Sequence, residues 1–198
     1  MAQQELLERL QIIERIVEEG RSETSSWGWC LMLWGFGHAG AMIWTVLGRH
    51  DGMPWWVLMS ACGVLTLVGG AYVRRAEGHV TTSGRATAGI WLSLAVSMFL
   101  LFALGGNYRG VAPRLLVAAF CVLLAMANFA SGHLLRWTAQ RLNGMFLWTC
   151  TVAALLAPDV TTLFWIFMFA VVVGEIGFGL YLIMLERSAR SKHAATAV

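Results

Sequence analysis

Residues 162–185 read TLFWIFMFAVVVGEIGFGLYLIML, and across these 24 residues the only charged side chain is Glu175. A helix rises about 1.5 Å per residue, so roughly 20 apolar residues carry it across the hydrocarbon core of a bilayer. This run is long enough to span. Walking outward from it, five further apolar runs occupy 27–47, 54–73, 88–106, 115–135 and 142–157. The run at 142–157 has only 16 residues. It is expected to borrow from 137–141 or to sit where the bilayer is thin.

Composition agrees with six spans. The chain has 198 residues, 58% hydrophobic and 13% charged, against about 25% charged in a usual soluble domain. A disordered chain needs the opposite balance, and a soluble domain of this size would lack polar surface to cover itself. Of the 25 Asp, Glu, Arg and Lys residues, 24 fall outside the six runs, the exception being Glu175. The expectation is an all-α integral membrane protein, a six-transmembrane helix bundle. Residues 1–26 form a cytoplasmic amphipathic helix and linker, 27–185 the membrane domain, and 186–198 a short cytoplasmic tail.

Orientation follows from the basic residues, which accumulate in cytoplasmic loops. With six spans, one side holds Arg9, Arg15, Arg21, Arg74, Arg75, Arg85, Arg136, Arg141, Arg187, Arg190 and Lys192, and the other only Arg49, Arg109 and Arg114. That places both termini in the cytoplasm, as in a multi-pass protein of a bacterial inner membrane. The first apolar run follows an acidic segment rather than a basic one, so it is expected to remain as a span and not to be removed as a signal. The net charge of +3 is thus a topology signal. The basic residues form no cluster interleaved with aromatics, so nucleic acid is not an expected partner.

The outer turns resemble one another. Gly52-Met53-Pro54 and Gly110-Val111-Ala112-Pro113 both lead into a span, with Cys62 and Cys121 each eight residues beyond the proline. The third turn, Ala157 to Thr161, offers Asp159 or Thr161 as a helix cap. Three helical hairpins would produce this pattern, although Gly and Pro are common in any membrane turn.

Residues 2–19 are strong helix formers. Leu6, Leu10, Ile13 and Val17 follow a 4, 3, 4 spacing, which is a heptad seam. Residues 1–26 carry six Glu and three Arg, the wrong sign for lying on anionic lipid. The seam therefore suits a partner helix, either from a second copy or from another protein, or the cytoplasmic mouth of the bundle itself.

Inside the spans, ionisable residues are expensive and face the bundle interior. There are three: His38, His133 and Glu175. Counting from the span ends puts His38 and Glu175 near the midplane, Asn128 about one turn lower and His133 near the cytoplasmic interface. Burial favours a neutral carboxyl and a neighbouring imidazolium favours an ionised one. A site of His38, Glu175 and Asn128 could therefore exchange protons or hold a hydrogen-bonding or cationic ligand. Glycines flank both residues (Gly35, Gly37 and Gly40; Gly174, Gly177 and Gly179) and would let the first and sixth spans approach.

Other chemistries are poorly served. Cys30, Cys62, Cys121 and Cys150 lie in spans without CxxC spacing and read as small apolar residues. His38 and His133 differ too much in depth to hold a haem between them. No span contains Asp, its serines lack a base partner, and no phosphate-binding glycine loop follows a strand. No cofactor is expected, and an enzyme is the least supported class. Two functions stay open: a transporter or channel subunit for a small solute or ion using the midplane site, or a non-catalytic membrane sensor, regulator or assembly factor acting through its N-terminal helix.

Overall fold

The computed structural model describes residue 20 and residues 26–48, 53–77, 82–101 and 112–196. The expected N-terminal seam of Leu6, Leu10, Ile13 and Val17 lies outside the described residues. Within them the chain is helical throughout, with six helices from Gly28 onward. They are α1 (Gly28–Gly48), α2 (Met53–Glu77), α3 (Thr82–Leu100), α4 (Pro113–Leu134), α5 (Thr138–Leu156) and α6 (160–196). The last is continuous but changes pitch, running α-helical over Val160–Val171, π-helical over Val172–Gly177 and α-helical again over Phe178–Thr196.

Gly28–Gly48, Pro54–Tyr72, Pro113–Leu134 and Val160–Ser188 are long and apolar enough to cross a membrane, and Gly84–Leu100 is a shorter apolar helix. The result is a helical membrane bundle. Large apolar side chains such as Leu67, Leu92, Leu156 and Trp165 point outward, as they do where the solvent is lipid rather than water. The short fifth run is extended as expected: α5 starts at Thr138 and has 19 residues. Its first turn carries Gln140 and Arg141, which is why its apolar run looked too short. Helix α3 starts at Thr82, before the expected 88. Backbone hydrogen bonding continues into the polar flank after the apolar stretch has ended.

Local signals set the ends. Pro113 occupies the first turn of α4, where a missing N–H is harmless. Asp159 caps α6: its carboxylate accepts from the Thr162 N–H at 2.8 Å and from the Thr162 hydroxyl at 3.0 Å. The turn from α4 to α5 is a Schellman closure. Trp137 N–H donates to Gly132 O at 2.8 Å and Arg136 N–H to His133 O at 3.2 Å, with Arg136 at φ 49° in the left-handed position that glycine usually takes.

The most extensive packing is between α4 and α5, joined by that turn. Helix α1 packs on α2 and α6, α3 lies on α4, and α6 also touches α4 and α5. Two crossings are close enough to exclude any side chain. A Cβ on Gly179 would lie 2.8 Å from the Gly28 carbonyl oxygen, and one on Gly144 would lie 2.9 Å from the Ala125 carbonyl oxygen. The apolar core is built around Phe120, Leu147, Phe167 and Val171.

Candidate functional site

His38 comes from α1 and Glu175 from the π-helical segment of α6. Their helices are drawn together by glycine. A Cβ at Gly35 would stand 2.6 Å from Ile176 Cγ1 and 3.1 Å from Glu175 Cβ. With no side chain there, His38 Nδ1 and Glu175 Oε2 meet at 2.8 Å. Both residues are buried, at 5% and 2% exposure. A bond between an imidazole and a carboxyl group is charge-assisted when the carboxyl is ionised.

The pair is walled by aromatic rings. Phe120 meets the imidazole edge-on at 4.8 Å between centroids, and Trp34 and Trp55 lie at 5.8 and 6.4 Å. Phe167 packs behind them against Phe120 at 5.0 Å and Trp55 at 5.9 Å. Trp34 is itself fixed, its indole N–H donating to the Thr66 hydroxyl at 3.0 Å.

Asn128 does not bond to either member of the pair. Its amide donates to Leu124 O in its own helix at 2.9 Å and accepts from Asn143 Nδ2 at 3.2 Å. The same Asn143 nitrogen donates at 3.0 Å to the carbonyl of Gly174, the residue before Glu175. Asn128 is therefore tied to Glu175 through Asn143 and one stretch of main chain. Asn143 lies on the apolar run at 142–157 and has no charge, so a search for ionisable residues passes over it. His133 is exposed, with its ring 4.5 Å from that of Phe129. The cysteines are unpaired thiols, with Cys62, Cys121 and Cys150 buried.

The π turn places Glu175. Closing the turn with i→i+5 instead of i→i+4 hydrogen bonds widens it and rotates the following segment, and such bulges recur at functional sites. Here the wide turn presents the Glu175 side chain to α1 and the Gly174 carbonyl to α5. Chemically, a neutral imidazole with an ionised carboxylate leaves one net negative charge in an apolar enclosure. One added proton removes it.

Compared with known proteins, the chain matches no family model, no curated protein and no solved structure.

Proposed function

We propose that the protein is a small membrane transporter or channel subunit in which the His38–Glu175 pair is a midplane proton-binding site. The observation that carries this reading is the direct 2.8 Å bond between two ionisable side chains buried in the bundle. Each such group costs roughly 2.5–3.5 kcal/mol on insertion scales when charged at the centre of a span. Apolar residues of similar volume would pack the same place at no such penalty. The solute or ion moved is small, because the aromatic wall closes tightly on the pair. Proton uptake removes the net charge of the pair, and proton loss restores it in an apolar enclosure, which gives α1 and α6 a reason to rearrange.

The aromatic enclosure also favours a second reading. A pair packed this tightly could serve to lock α1 onto α6 in a sensor or assembly factor that works through residues 2–19, from a second copy or another protein.

Proteoliposomes loaded with a pH-sensitive dye and given an imposed membrane potential separate the two. Wild-type protein should acidify or alkalise the lumen faster than empty vesicles, and Glu175→Gln should abolish that flux while eluting as a folded protein. Full flux in Glu175→Gln, or none above empty vesicles in the wild type, would sink the proton-site reading.

A further inference from the structure

Helix α6 outruns the helix beside it. Its last segment, Phe178–Thr196, packs chiefly on α1. Helix α1 begins only at Gly28, against Gly179, Leu182 and Ile183 of α6. Past Arg187, one turn beyond Ile183, α6 has left α1 behind, yet it stays helical to Thr196. The continuation needs no new nucleus, but its Ser, His and Thr residues propagate a helix poorly in water. A neighbour there would stabilise it.

A groove of about 330 Å³ opens where the two helices part, lined by Trp29 of α1 and by Ile183, Glu186 and Arg187 of α6. Trp29 and Ile183 are half-buried and Arg187 is exposed. The Trp29 ring is held from behind, since it lies against Gly69 of α2 and stacks on Trp27 at 6.2 Å between centroids. Ile183, Arg187 and Arg190 follow an i, i+4, i+7 spacing and so share one face of α6. The groove therefore combines an apolar half with a basic continuation.

The chain itself supplies a segment of matching character. It enters α1 two residues before Trp29, and Gly20, helical and buried, lies just upstream. From Gly20 to Ser26 the chain can travel no more than about 22 Å, at roughly 3.6 Å per residue. Residues 2–19 carry the apolar seam of Leu6, Leu10, Ile13 and Val17, with five Glu against two Arg. Beyond Ile183, α6 has the opposite balance, with Glu186 against Arg187, Arg190 and Lys192.

We propose that residues 2–19 dock as a helix in this groove of their own chain, seam toward Trp29 and Ile183 and glutamates toward Arg187 and Arg190. Eighteen residues make a helix of about 27 Å, long enough to lie along the whole free end of α6. A tether this short keeps the segment at roughly millimolar effective concentration, an advantage that a second copy or another protein lacks. Its acidic face also disfavours the anionic lipid surface as an alternative resting place. Docked, the segment braces α1 against α6 from the end expected to face the cytoplasm. The docking goes beyond the proton site and does not depend on it.

A photo-crosslinker tests the docking without assuming a register. Full-length Ser191→Cys is labelled with benzophenone maleimide, as light and heavy-isotope chains mixed before reconstitution in vesicles of phosphatidylcholine and phosphatidylglycerol. After illumination and digestion, mass spectrometry should find residues 2–19 linked to the α6 tail, light with light and heavy with heavy. Light–heavy links in statistical proportion would assign the groove to a second copy and overturn the proposal. Links to lipid alone, or to other helices alone, would overturn it as well. Leu10→Glu combined with Ile13→Glu should lower the yield about tenfold or more, as two aliphatic side chains leave the groove. Arg187→Glu should lower it about two- to fivefold, the range of exposed ion pairs, and Arg187→Lys should leave it near the parent value. An unchanged yield in the seam variant or in Arg187→Glu overturns the docking. None of these readouts involves proton flux, so this proposal and the Glu175 site fail separately.

Discussion

His38 and Glu175 hold each other in a place where neither would be stable alone. Removing one partner of a buried pair leaves an uncompensated polar or charged group and typically costs about 3–5 kcal/mol, whereas replacing both with apolar residues is often neutral or stabilising. His38→Ala should therefore lower thermal stability in detergent markedly. His38→Leu combined with Glu175→Leu should recover most of the loss, as measured by unfolding of the purified variants. The same double variant should carry no proton flux. A stable, active double variant would mean that the pair is neither a site nor a fastener. The residues that make this pair were legible in the sequence because charge in hydrocarbon is conspicuous. Asn143, Gln140 and Ser131 were not: Asn143 and Ser131 lie near the ends of their apolar runs, where polar residues are ordinary, and Gln140 lies outside the expected run. They become visible only when the two helices are written antiparallel and their i, i+3 spacings are matched across the turn.

At the scale of elements, helix α6 depends on its cap and on its crossing with α1. Asp159 is exposed, and the backbone N–H of Thr162, helped by that residue's hydroxyl, holds its carboxyl below the usual carboxylate value. A carboxyl lowered in the folded state stabilises that state above the unfolded value and loses the effect as pH falls through the folded value. Asp159→Ala should thus melt below wild type near neutral pH, and the gap should close on acidification below the ordinary carboxylate range. A gap that persists in acid would assign it to something other than the charged cap. The crossing is more demanding. Gly179→Ala would set a methyl 2.8 Å from the Gly28 carbonyl oxygen and 3.0 Å from Met32 N, both main-chain atoms that cannot swing aside. Overpacking of this kind costs about 1–3 kcal/mol. It should also pry apart the His38–Glu175 contact, so stability and proton flux fall together. Glycines flanking His38 and Glu175 suited either a close approach of α1 and α6 or space for a ligand, and the structure shows the approach. The π turn had no such signal, because it is set by tertiary contacts at Gly174 and Glu175 rather than by local propensity.

For the molecule as a whole, the apolar runs were enough to give an all-helical membrane bundle, since a bilayer permits few other solutions. They did not give the packing order. The closest partners, α4 and α5, are joined by the Arg136 turn and not by one of the Gly-Pro turns that suggested three hairpins, because glycines at positions 132 and 144 let those two backbones approach. Which face of the membrane that turn occupies decides the orientation of the whole bundle. The orientation expected from the basic residues would put Arg136 and the tail beyond α6 on the cytoplasmic side and the Pro158 turn on the other. Pro158, Arg136 and Ser191 are all exposed, so single cysteines at these places report the orientation directly. In intact cells, a membrane-impermeant thiol reagent should label Pro158→Cys, while Arg136→Cys and Ser191→Cys should be labelled only after permeabilisation. The opposite pattern would turn the bundle over. The α4–α5 turn at Arg136 would then face outward and the Asp159 cap of α6 the cytoplasm, because the two ends lie at opposite ends of α5.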